Sequence, residues 1–234
     1  CEGSLLFFSE YAEGSSNNKY LEIYNGSDSN VDLFNYSLSS CSNGCNDGTS
    51  WDFPDNVTFD SGTILLPGEV YIVCHGNADA QIQAECDQQF TYLSNGDDGH
   101  GLVYGSNPGS PVDPATGGYV ILDFVGDWNG DPGSGWAVAG VSNGTKDHTL
   151  VRKCDVTQGN DDWVASAGTN TTDSEWEVLP QNDWTNLGFH TTPCASVSGC
   201  TDPTATNYDP SATVDDGSCL YVTDCAGIVN GTAL

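Results

Sequence analysis

Basic residues are almost missing from this chain: Lys and Arg number 4 against 33 Asp and Glu, a formal charge of −29 over 234 residues. Such a surface repels phosphate backbones and anionic headgroups, which excludes nucleic acid as a partner and a peripheral hold on acidic lipid. Methionine is absent altogether. A missing initiator agrees with removal of a leader before Cys1. No apolar run comes near the ~20 residues of a membrane helix, so no direct membrane insertion is expected. Long Ala/Leu/Glu/Lys stretches are lacking too, and with them the material for a helical bundle. Cations are the natural counterpart of so acidic a surface, although acidity also serves plain solubility.

What is present points to β structure. Gly numbers 28, and Asn, Asp, Ser and Thr are abundant. These residues supply the positive-φ corners and side-chain-capped turns between short strands. Ten cysteines, at positions 1, 41, 45, 74, 86, 154, 194, 200, 219 and 225, show no CxxC…CxxC spacing. An even count scattered in this way reads as disulfides formed in an oxidising compartment, hence an extracellular or cell-surface protein.

Leu5–Tyr11 and Lys19–Tyr24 read as strands, the second with Leu21 and Ile23 on one face and Tyr20, Glu22 and Tyr24 on the other. Asn25-Gly26 then turns the chain. Val31 through Leu38, Val57–Phe59, Thr63–Leu65 and Val70–Cys74 continue the series, with Pro67-Gly68 as a turn signal. Asp79–Cys86 is the one stretch that reads as a short helix. His100–Tyr104, Tyr119–Val125 and Thr149–Lys153 follow as strands. Val120, Leu122 and Phe124 share one face, which predicts a central position for that strand. Many short strands with turn signals between them favour a sandwich over a parallel α/β sheet. Residues 195–199 are small and polar, as in a linker, and hydrophobic runs vanish beyond them.

Phe8-Ser9-Glu10-Tyr11, Glu13 through Lys19, and Leu21-Glu22-Ile23-Tyr24-Asn25 occur in this order. Leu66-Pro67-Gly68-Glu69-Val70-Tyr71-Ile72-Val73 and Ser94-Asn95-Gly96-Asp97-Asp98 come next. Asp127 with Asp131-Pro132-Gly133-Ser134-Gly135-Trp136, and Thr149-Leu150-Val151-Arg152-Lys153, continue the succession. Glu175-Trp176 and Leu187-Gly188-Phe189-His190-Thr191 complete it. The succession resembles bacterial lamin-tail domains over roughly residues 5–192 and implies an immunoglobulin-like β-sandwich. His190 matches the closing motif, where it would pack or cap a strand. The Pro/Gly-rich insertion between Tyr104 and Tyr119, and the cysteines at 41 and 45, depart from the family pattern. Gly199 through Cys219 looks like a short repeat of large surface proteins of Bacteroidetes-type bacteria, and Asp224 onward is similar to the start of a further repeat.

The expected organisation is therefore all-β: a lamin-tail-like sandwich over 1–194 and a linker over 195–199. A disulfide-framed acidic repeat over 200–220 and an incomplete repeat over 221–234 follow. Cys74 and Cys86 flank the expected helix, and closing that loop contributes about 3 kcal/mol in the chain-entropy picture. Cys41 and Cys45 read as a local loop staple rather than a redox pair, since three residues separate them. Cys200 and Cys219 frame a segment with almost no apolar residues, which needs a covalent or metal staple to be ordered. Cys1, Cys154 and Cys194 lie near strand ends, and two of them could pair across the sandwich. A lipid on Cys1 would have almost no tether before the first strand, so a disulfide is favoured there. Cys225 is expected to pair with a cysteine beyond residue 234.

Calcium is the expected cofactor class. Asp202, Asn207, Asp209, Asp215 and Asp216 offer hard oxygen ligands beside Gly217 within one disulfide loop, although the full EF-hand pattern is absent. Asp97-Asp98, or Asp127 with Asp131, form a second acidic group. The alternative is that these aspartates cap solvated turns. Sequons occur at Asn25, Asn35, Asn56, Asn143, Asn170 and Asn230 and make these candidate glycosylation positions, although an Asn/Ser/Thr-rich chain produces some by composition alone.

No HExxH, no GxSxG and no supported Ser/His/Asp ordering occurs, and the histidines at 75, 100, 148 and 190 stand apart. An enzyme is not expected. The expected role is a non-catalytic surface or matrix module, in adhesion or as a subunit of an extracellular assembly or filament. Its partners would be itself, other surface proteins or polysaccharide. The alternative is an accessory domain of a larger secreted hydrolase, such as a nuclease or protease, whose catalytic part lies outside this chain.

Overall fold

The structure, a computed structural model, describes residues 5–45, 51–93, 95–105, 120–127, 130–194 and 197–222. Contacts divide the chain into two units, Cys1–Pro193 and Cys194–Leu234. The first unit begins with β1 (Leu6–Glu13), β2 (Lys19–Asn25), β3 (Val31–Asp32) and β4 (Tyr36–Cys41). Next come β5 (Phe53–Thr58), β6 (Ile64–Leu65), β7 (Val70–Cys74), α1 (Ala80–Glu85) and β8 (Gln88–Gln89). β9 (Gly99–Tyr104), β10 (Val120–Val125), β11 (His148–Arg152), α2 (Trp163–Ala167) and β12 (Trp176–Leu179) complete the unit.

Among the described residues these strands build a six-stranded sheet, β12-β11-β1-β2-β7-β8, facing a four-stranded sheet, β10-β9-β4-β5. Leu6, Phe8, Tyr11, Leu21 and Ile23 from the first sheet meet Tyr36, Leu38, Val57, Leu102 and Val125 from the second in one core. A register shift between Phe8 and Glu10 explains how Leu6, Phe8 and Tyr11 share a face despite breaking strict alternation. The expected β-sandwich is thus present.

Both outer faces are partly covered as well. Ala12, Tyr20, Ile72 and Cys74 on the outside of the larger sheet pack against Ile82 of α1 and Leu187. All seven residues of β2 are buried for that reason. On the smaller sheet, Trp51 lies across Cys41, Val103 and Phe124. Gly101 makes room for it, since a Cβ there would come within 2.3 Å of the Trp51 ring.

Three expectations need correction. The segment Val31 through Leu38 is two strands, because the Asp32 carboxylate accepts from the Phe34 amide at 3.1 Å and starts a short 3₁₀ turn at Leu33–Asn35. β10 is an edge strand and not a central one. A register shift between Ile121 and Asp123 leaves Val120 exposed while Phe124 is buried. The short helix α2, capped by the Asp162 carboxylate on the Ala165 amide, was not anticipated. The expected helix at 79–86 is present as α1, with Asp79 capping the Gln81 amide at 3.0 Å.

In the second unit, β13 (Ser198–Gly199) pairs in parallel with β14 (Val214–Asp215), so the end of the expected linker is itself paired. Disulfides join Cys41 to Cys45, Cys74 to Cys86 and Cys200 to Cys219, and Cys154 and Cys194 are disulfide-bonded too. Cys1, Cys225 and the 106–119 part of the insertion lie outside the described residues. Among the described residues no helix is long and apolar enough to cross a membrane.

Candidate functional site

A cleft of about 660 Å³ opens in the first unit where segments of both sheets meet. The β1–β2 turn and the start of β2 bring Asn17 and Lys19, and the end of β4 brings Ser40, Cys41 and Ser42. β5 contributes Phe53 and Asn56. His75 follows β7, and Thr91, Tyr92, Leu93 and Asn95 come from the segment between β8 and β9. Phe53 is 51% exposed and Tyr92 75%, so the rim carries two accessible rings. Tyr92 stands edge-on to Phe90 at 5.8 Å.

The polar lining is held in place by local bonds. Lys19 is buried, with its ammonium 3.4 Å from Glu13 Oε1 and 3.3 Å from Asn95 Oδ1. Its charge is therefore largely offset within the wall. Asn56 Nδ2 donates to Ser40 Oγ at 2.9 Å, and the Ser42 amide donates to Asp52 at 2.9 Å. His75 Nδ1 accepts from the Asn77 amide at 3.0 Å, which leaves Nε2 as the protonated nitrogen. Among the described residues no Asp or Glu lines the cleft, in a chain that has 33 of them.

Two other polar groups are held by packing, Arg152 fully buried and His190 half-buried. Arg152 lies between the sheets, donating from Nε to the Phe8 carbonyl at 3.1 Å and from Nη1 to Ser166 at 2.9 Å and Glu175 at 2.7 Å. Nη2 pairs with Asp123 of the opposite sheet, and the guanidinium sits 3.7 Å from the centre of the Trp176 ring. Burial pushes the Asp123 carboxyl up, while Arg152 and the amides of Asn160 and Phe8 pull it back. His190 packs edge-on to Tyr24 at 4.9 Å and Phe7 at 5.7 Å. Burial, helped by Arg152, lowers its pKa to about 4, so it is a neutral packing group. These residues join the Thr149–Lys153, Glu175-Trp176 and His190 motifs into one structural node.

Glu10 and Glu22 face each other across β1 and β2 on the covered outer side. Burial, then repulsion from Glu22, raises Glu10 to about 9; burial raises Glu22 to about 7 against bonds from Ser9 and the Gly188 amide. The Tyr20 hydroxyl donates to Glu10 Oε2 at 3.1 Å, and Ser9 donates to Glu22 at 2.7 Å. Neither carboxyl is among the described residues that line the cleft, and both are bonded within the fold.

In the second unit, each expected metal ligand serves a turn. Asp202 accepts from Thr204 and from the Tyr221 hydroxyl at 2.7 Å; Asp209 accepts from Ser211. Asp215 and Asp216 accept from the amides of Gly217 and Ser218 at 3.1 and 2.8 Å. Asn207 holds the Ser218 carbonyl and the Leu220 amide. Among the described residues no group of three or more His, Cys, Asp or Glu is arranged to hold a metal ion. Asp98 is spent on the amides of Asn43 and Asn95, and Asp131 on that of Gly133.

Of the sequons, Asn25 is the one fully buried in the fold among the described residues. Its amide is buried and donates to the carbonyls of Ser29 and Leu65, leaving no accessible nitrogen in the folded chain. Asn35, Asn143 and Asn170 are exposed, and Asn56 is half-buried in the cleft wall. Asn230 lies outside the described residues. The cleft itself was not anticipated: Phe53 opens β5 and Tyr92 lies in the segment after β8, and nothing in the sequence brings these two rings together.

A DUF4876 family protein from Bacteroides thetaiotaomicron is a solved structure similar to this chain, with a TM-score of 0.47 and 14% identity over 80% of this chain and 74% of that one. A stretch of 23 residues is 78% identical to a segment of ribulose bisphosphate carboxylase/oxygenase activase 1 of Larrea tridentata. That stretch is 10% of this chain, and the chain spans about 5% of the length of that curated relative. The family model of the lamin tail domain matches residues 2–110, the part that supplies β1 through β9 of the sandwich.

Proposed function

We propose that this chain is a non-catalytic extracellular module of a surface or matrix protein and that it works by adhesion. The observation that carries this reading is the covalent bracing of both units by disulfides, which persist in oxidising compartments and not in the cytosol. A sandwich whose most strongly raised carboxyls, Glu10 and Glu22, are buried away from the cleft supports a binding role. Assembly by strand addition is the less favoured form of the same role. Edge strand β5 carries Pro54 and a positive φ at Asp55, and edge strand β8 is two residues long.

The test is retention on matrices, paired with light scattering. Beads bearing the oxidised full chain should hold extracellular polymer from solution at physiological ionic strength without cleaving it, while the free chain stays monomeric across a salt and calcium series. Turnover of the polymer, or no retention of any polymer, would overturn the adhesion reading. Growth of the scattering mass with salt would move the role from adhesion to homotypic assembly.

A further inference from the structure

We infer that the cleft beside β4 and β5 is a binding site for a short run of neutral polysaccharide. This deepens the adhesion reading and rests on it. At about 660 Å³ the cleft falls within the ~300–1,000 Å³ of small-molecule sites and has room for a di- or trisaccharide. Its polar groups suit hydroxyls. The amides of Asn17 and Asn95 and the hydroxyls of Ser42 and Thr91 offer donors and acceptors together, as each sugar hydroxyl requires. The exposed rings of Phe53 and Tyr92 present π faces against which the C–H face of a pyranose can lie.

Charge selects among polyols. Among the described residues the lining holds no carboxylate, and the Lys19 ammonium is matched by Glu13, so the cleft is close to neutral. A uronate or sulfated polymer would meet no free cation there, and the surrounding −29 would repel it. A neutral chain meets neither penalty. An apolar ligand would strip water from the cleft's amides without replacing their bonds, at a cost that disfavours it.

Isothermal titration of the full oxidised chain with neutral glucan, xylan, mannan and chitin oligosaccharides, and with a polyuronate oligosaccharide, tests the assignment. At least one neutral series should bind, with affinity falling tenfold or more in Tyr92→Ala and in Phe53→Ala. Both rings are more than half exposed, so their truncation leaves the core intact. Phe34→Ala, an equally exposed ring outside the cleft, should bind as the parent does. Binding unchanged by both cleft variants, preference for the polyuronate, or no heat with any neutral series would each overturn the site. Bead retention of polymer that survives Y92A and F53A would sink the cleft assignment while leaving adhesion standing. Loss of all retention in the parent chain would sink adhesion itself.

Discussion

Replacing Glu10 with glutamine should make the folded chain less sensitive to alkaline pH. Glu10 is 1% exposed, its Oε1 has no hydrogen-bond partner among the described residues, and burial with the Glu22 charge raises its pKa from 4.5 to about 9. Between those values the folded chain keeps a proton that the unfolded chain releases. Unfolding then liberates a proton, and stability falls as pH rises, by up to about 1.4 kcal/mol per pH unit. From about pH 5 to about pH 8 the loss assigned to Glu10 is bounded at about 4 kcal/mol, and water entry on relaxation brings the expected value nearer to about 2 kcal/mol. Glu22, raised to about 7, adds a loss of the same sign up to that pH.

Glutamine keeps the shape, accepts from the Tyr20 hydroxyl and cannot ionise. Near pH 5 the two proteins should have similar stability, and near pH 8 Glu10→Gln should be the more stable by about 2 kcal/mol. Urea unfolding under oxidising conditions, repeated at each pH, gives the difference directly. The general repulsion among the other carboxylates is common to both proteins and cancels. Parallel stability curves for parent and variant would refute the claim that Glu10 is protonated in the folded chain.

Arg152→Met should cost about 3–5 kcal/mol in urea unfolding, because it leaves Asp123 buried and unmatched between the sheets. Mass measured with and without reductant, with alkylation of free thiols, should show the cysteines oxidised. Replacing both Cys200 and Cys219 with serine should cost the second unit about 3 kcal/mol and show as faster amide exchange over residues 200–222 while β1 and β2 stay protected. In the same unit Asp202, Asp209, Asp215 and Asp216 already accept turn bonds, so calorimetry with millimolar calcium should register little heat; strong binding would mean that those turns open to ligate the ion.

Strands with clean alternation and a turn signal behind them were legible in the sequence, because both cues are local. β2 and β7 appear within a residue of where Lys19–Tyr24 and Val70–Cys74 predict them. The edge position of β10 was not legible. Its register shift brings Asp123 inward to meet Arg152, 29 residues further on, and nothing near Asp123 announces that partner. The cleft is illegible for a similar reason, being assembled from five separate segments, each of which reads alone as an ordinary turn or strand end.

Glu10 and Glu22 show how the local rule fails. Polar residues alternating with Tyr11, Leu21 and Ile23 look like the solvent side of a half-buried strand. That inference holds only if nothing distant covers the side in question. Here the Gly188 amide, 166 positions after Glu22, closes over it at 2.7 Å, and Leu187 packs beside Tyr20. The covering segment belongs to the Leu187–Thr191 motif, so the closing motif of the sandwich decides the ionisation of carboxyls in its opening strands. A variant that loosens that segment, such as Leu187→Ala, should therefore lower the pKa of Glu22 as well as destabilise the fold, which links the two ends of the first unit through solvent access rather than through direct charge.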